Sequence, residues 1–108
     1  MPVALGSDWP VASPNPLLNL HAAINRAGFN EHHNPHFKPD EALEPHLAVR
    51  AASYGWAVGA GMTGIRGSLA PGKSADMTIV TGVSDDLRDW SKAHVAMTIC
   101  RGKVEFES

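Results

Sequence analysis

The chain has 108 residues, 44% of them apolar, which suits one modest core and falls far short of a closed eight-stranded α/β barrel. Its formal net charge is −2 with histidine neutral, and the basic residues are scattered, which speaks against nucleic acid or an acidic membrane surface as partner. The one cysteine, Cys100, lies in an apolar stretch and has no intrachain partner, so a buried thiol is expected and nothing demands an oxidising compartment. There is no basic, then apolar, leader and no long apolar run, so the expected location is the cytoplasm.

Residues 2–6 are a short apolar run that ends in Gly6-Ser7-Asp8, the pattern of a buried strand whose carboxyl end delivers polar groups into a loop. Pro10, Pro14 and Pro16 break the chain after it. Ser13 or Asn15 can cap a helix with Pro16 in its first turn, and Leu17, Leu20, His21 and Ile24 trace one face as far as Gly28. Residues 29–39, rich in proline and asparagine, read as an exposed loop.

A second helical region starts near Asp40 or Glu41 and carries Leu43, Leu47, Ala48, Ala51, Ala52 and Trp56, with Pro45 splitting off a short first turn. Small residues from Gly55 onward predict close packing and a stop between Gly61 and Gly64. Glycines then punctuate β-rich runs: a strand at 77–81, an acidic loop with one helical turn near 86–90, and strands at 95–101 and 104–107 joined at Gly102-Lys103. No internal repeat is present.

Two stretches carry a resemblance. Ala4-Leu5-Gly6-Ser7-Asp8-Trp9-Pro10-Val11 is similar to the eighth barrel strand of the amidohydrolase superfamily, in the branch of N-substituted formamide deformylases and exoenzyme regulators. Gly67-Ser68-Leu69-Ala70-Pro71-Gly72-Lys73-Ser74-Ala75-Asp76-Met77 resembles the segment with which those chains leave the barrel for a small β-sandwich. The fold this implies is α+β: the last βα unit of a TIM-type barrel in residues 1–63, and the carboxy-terminal strands of the adjoining sandwich in 64–108. The two parts are expected to form one compact unit.

The resemblance further implies that Asp8 is the catalytic aspartate, a ligand of a divalent metal such as zinc and the proton acceptor from its water. The competing reading is an aspartate whose side chain caps the following turn. The superfamily's other ligands, a His-x-His pair among them, are missing, and one carboxylate does not hold a catalytic zinc, so the chain alone is expected to be inactive and without metal. His32, His33 and His36 form a possible substitute cluster, weighed against a solvated loop. His21 and His46 are read as surface or satisfied histidines. Trp9 is a candidate for substrate binding, although burial for packing is the stronger expectation for it and for Trp56 and Trp90.

The function expected is therefore that of the carboxy-terminal segment of a metal-dependent hydrolase of non-peptide C–N bonds. Its partners would be the missing barrel and, in the parent enzyme, a small amide substrate, with neither nucleic acid nor membrane. The alternative is a non-catalytic module that hides its apolar faces by forming a homo-oligomer.

Overall fold

The computed structural model describes residues 2–27 and 38–108. Helix α1 spans Pro16–Asn25, a 3₁₀ turn covers Pro39–Glu41, and helices α2 and α3 span Pro45–Ala52 and Tyr54–Gly59. Strands β1 (Met77–Thr81), β2 (His94–Cys100) and β3 (Lys103–Glu107) form one antiparallel sheet in the order β1-β2-β3.

Each helix boundary has a local cause. Asn15 caps α1 by accepting the Leu17 N–H on its side-chain oxygen at 3.0 Å, and Pro16 follows where a missing N–H costs nothing. The helix ends at Arg26, which takes the left-handed conformation at φ 55° and donates to Ala22 O at 2.7 Å. That is two residues short of the expected stop at Gly28, which lies outside the described residues. Pro45 does divide the second helical region, standing at the first position of α2. Ser53 divides it again, with φ −122° and ψ −80°, its hydroxyl donating back to Val49 O at 2.9 Å.

The core is small. Leu17, Leu20 and Ile24 on one face of α1 meet Ala48 of α2 and Trp90 from the loop between β1 and β2, with Leu5, Leu43, Val80 and Val95 partly buried around them. That face of α1 is the one its apolar spacing predicts. Trp90 is fixed at its indole N–H, which donates to Leu87 O at 2.8 Å, and at its backbone N–H, which donates to His21 Nδ1 at 3.3 Å. No helical turn forms near 86–90. Ser84, Asp86 and Asp89 instead bond one another and the backbone of Arg88 and Ser91 at 2.6–3.0 Å, an arrangement built on Asx-type turns.

Further expectations are corrected. Residues 2–6 form no strand: Pro2, Val3 and Ala4 are exposed, and the segment is tied to α2 through Leu5 N–H to Ala51 O at 3.3 Å. A run of this kind pairs only when neighbouring strands flank it. Trp9 and Trp56 are exposed, at 67% and 48%, and only Trp90 of the three is buried. Cys100 is exposed too, because it pairs with Lys103 at the tip of the last hairpin. The tip itself is Arg101-Gly102, both left-handed at φ 53° and 79°, so Lys103 opens β3 and does not form the turn.

The strands pair with two irregularities, between Ile79 and Val80 and between Thr98 and Ile99. Registry places Met77, Ile99 and Val104 side by side and Ile79 opposite Met97, giving the sheet one largely apolar face, with Glu107 opposite Met97 at its margin. On that face Ile79 and Val104 are about half exposed. The two edges differ: β3 carries Lys103, Glu105 and Glu107, whereas β1 reads Met-Thr-Ile-Val-Thr without a charge.

Gly55 of α3 lets the amino-terminal segment lie against the helix, since a Cβ there would collide with the Val3 carbonyl oxygen. Helix propensity alone would favour alanine by about 1 kcal/mol, but a backbone collision outweighs that gain. Gly55→Ala is expected to detach residues 2–5, seen as faster hydrogen exchange at the Leu5 amide and a lower urea midpoint. A rise in the midpoint would show that α3 behaves as an isolated helix.

Candidate functional site

Asp8 lies at the first position of a tight turn. Its carbonyl accepts the Val11 N–H at 2.8 Å, its backbone is left-handed at φ 51°, and the Trp9-Pro10 bond is cis. The turn is closed by backbone, so the competing role as a side-chain cap is not the one adopted. The carboxylate is exposed, and no hydrogen bond or ion pair reaches it from the described residues. Trp9 stands exposed beside it.

The other expected site residues are not gathered around Asp8. His32, His33 and His36 lie outside the described residues. His21 is engaged with Trp90 and Asn25, and burial pushes its pKa below the usual value while the Asp89 charge opposes that. His94 shares a 2.9 Å hydrogen bond with Thr81 Oγ1, and His46 lies on α2. Among the described residues, no group of three His, Cys, Asp or Glu side chains could hold a metal ion. An apolar groove of about 320 Å³ runs between the amino-terminal segment and α2–α3, lined by Val3, Leu43, Leu47, Ala51, Tyr54 and Val58 among others. Neither Asp8 nor Trp9 lines it.

The segment from Gly67 to Asp76 does architectural work. Gly67, at φ 92°, presses on α3, where a Cβ would come within 2.5 Å of Ala57 Cβ. Pro71-Gly72 turns the chain, with Lys73 N–H donating to Ala70 O at 3.1 Å and Gly72 at φ 89°. Asp76 then joins two distant pieces. One carboxylate oxygen accepts the Arg101 N–H at 2.9 Å and the other lies 3.3 Å from Arg66 Nε. In the sequence Asp76 stands only within the segment that resembles a barrel exit, and its role at the hairpin tip is visible only once the strands are paired.

Fold and site together define an α+β unit with a solvent-facing carboxylate on a tight turn and, among its described residues, no complete donor set for a metal. The model of the amidohydrolase family matches residues 1–106, and the chain belongs to that family. Two curated relatives extend the comparison. YtcJ of Bacillus subtilis (strain 168), which its name assigns to the amidohydrolases, is 27% identical over 104 residues, covering 94% of this chain and 20% of its own length. Protein LONG AFTER FAR-RED 3 of Arabidopsis thaliana is 36% identical over 102 residues, covering 94% of this chain and 17% of its own. The chain thus spans about a fifth of the length of these relatives. No solved structure gives a significant match, and no helix among the described residues is long and apolar enough to cross a membrane.

The Asp76 carboxyl is held below its ordinary range, chiefly by the Arg101 backbone N–H and further by the Arg66 charge. Because its folded pKa lies below the unfolded value of about 3.9, the unfolded chain binds more protons in acid. The stabilisation is present above about pH 4 and is lost as pH falls through the folded value. Urea midpoints measured from about pH 6 down to about pH 3 should therefore fall. Asp76→Asn should flatten that fall, leaving the part due to Asp86 and Asp89, which are lowered by hydrogen bonds from Ser84 and Ser91 first, and the part due to His21, which burial lowers. An unaltered slope in the variant would show that Asp76 is not held in this way.

Proposed function

We propose that this chain is the carboxy-terminal segment of a metal-dependent hydrolase that acts on non-peptide C–N bonds, in amide, formamide or cyclic-amide substrates. The observation that carries the reading is the family match over residues 1–106, with Asp8 exposed on its turn and free of intramolecular partners among the described residues. A carboxylate that nothing in its own unit neutralises is available to a metal and to a water bound there.

A catalytic metal does not fit the described residues taken alone, because they bring together no group of three His, Cys, Asp or Glu side chains, at Asp8 or elsewhere. The remaining ligands would come from the part of the protein that this chain, at about a fifth of its relatives' length, does not span. In that complete protein Asp8 would be one metal ligand and the group that takes up a proton from the attacking water. Trp9, exposed next to it, would close over the substrate. The chain by itself is proposed to be inactive.

The test supplies the missing barrel strands as a second polypeptide and purifies the complex. It should retain divalent metal by elemental analysis and hydrolyse an N-formyl or cyclic amide. Asp8→Asn should lower turnover by about 10² to 10⁴. Full turnover in that variant would sink the assignment of Asp8, and a complex without metal would sink the reaction class.

One observation favours a second reading, a self-associating module without catalysis. The sheet face of Met77, Ile79, Met97, Ile99 and Val104 has no layer packed over Ile79 and Val104 among the described residues. On this reading light scattering should show a dimer or larger species that Val104→Lys converts to monomer. A native chain that stays monomeric at high concentration would rule it out.

A further inference from the structure

A second concavity differs from the apolar groove in its chemistry. It is an open depression of about 660 Å³ between α2 and the loop that begins at Gly67. His46, Arg50, Ser53, Tyr54, Ser68 and Lys73 give it its polar groups, and no carboxylate lines it. Such a concentration of cations is out of keeping with a chain whose net charge is −2.

The two full charges are also unanswered. Arg26, Lys38, Arg66, Arg88 and Lys103 each lie within ion-pair distance of an aspartate or glutamate. Among the described residues Arg50 and Lys73 have no such partner; neither do Lys92 and Arg101, but these two do not line the depression. Both are nonetheless held in place. The Arg50 guanidinium lies over the Tyr54 ring at 4.4 Å from its centre, which covers one face and leaves the N–H edges to donate. Lys73 Nζ donates one hydrogen to Ser68 Oγ at 2.8 Å, which leaves two on the ammonium and the serine's own O–H available. Gly67 fixes the loop against α3, so these donors sit on two supported elements.

We propose that this depression binds a phosphate group, free or as the phosphomonoester of a small molecule, with the dianion between Arg50 and Lys73 and Ser68 as a further donor. A tetrahedral dianion answers two cations and accepts from all three groups, whereas a carboxylate brings one charge. The site is independent of Asp8 and of the reading given above, since none of its residues belongs to that turn.

The experiment is a titration of the isotope-labelled 108-residue chain, followed by amide and arginine side-chain resonances, with ionic strength held constant by chloride. Inorganic phosphate and glycerol phosphate are added in separate arms, with acetate as the monoanionic control. Saturable shifts at Gly67, Ser68, Lys73 and the Arg50 side chain are expected, with a midpoint of about 1 mM or lower. Acetate should bind at least about tenfold more weakly. Tighter binding of the ester identifies an organic phosphate as ligand, and equal binding identifies the free ion; both support the site. Arg50→Gln and Lys73→Met should each weaken binding about tenfold, while Lys103→Gln should leave it unchanged. No saturable shift in the native chain, equal binding of acetate, or an unchanged titration in a variant that combines Arg50→Gln with Lys73→Met would each overturn the proposal. The native titration decides even if a variant fails to fold.

Discussion

The position of Trp90 is the constraint on which the rest of this unit depends. Among the described residues, the buried side chains apart from Trp90 are three aliphatic residues of α1, Pro45 and alanines of the next two helices. Its indole is the large group that brings the loop after β1 onto α1, and it is held there by Leu87 and His21. The hydrogen bonds among Ser84, Asp86 and Asp89 shape the loop that presents it. Truncating a buried tryptophan usually costs about 3–5 kcal/mol, a large share of the whole stability of a domain of this size.

A core so thin leaves much apolar surface uncovered. Val3, Trp9, Val11, Trp56, Leu69, Ile79 and Phe106 are all substantially exposed, scattered over several faces. Scattered apolar residues are normal on any protein surface. Here, however, they coincide with a segment that forms no strand and, among the described residues, a sheet face on which Ile79 and Val104 are about half exposed. Elements that expect neighbours on two sides have found them on one, which is consistent with a chain that spans about a fifth of its relatives.

Much of the local structure was legible in the sequence because its signals are short-range. The Asn15-Pro16 start of α1, the division at Pro45, strand β1 and the Pro71-Gly72 turn each follow from residues within one turn of the feature. The failures share a different origin. Burial of residues 2–6, Trp9, Trp56 and Cys100 was inferred from apolarity, but apolarity states what a side chain prefers, and burial requires another part of the chain to supply the cover. The family was legible from two motifs, and the proposal for Asp8 rests on one of them. The donor set proposed around Asp8 would be assembled across distant strands, which no local signal reveals. The cationic depression leaves no trace in the sequence for the same reason: Arg50 and Lys73 are 23 positions apart and ordinary when read singly.

The two edges of the sheet set a limit on how copies of this unit could grow. Charged side chains along β3 oppose the addition of another strand there, while β1 offers uncharged, β-branched residues and open backbone groups. A sheet with one receptive margin can be extended once, by another β1 or by a strand from elsewhere, and the extended object then presents a blunt margin at each end when the addition is two-fold symmetric. On the self-associating reading, growth at this edge would stop at a pair. A bare strand edge, ordinarily the starting point for open-ended fibres, would then lead to a closed assembly.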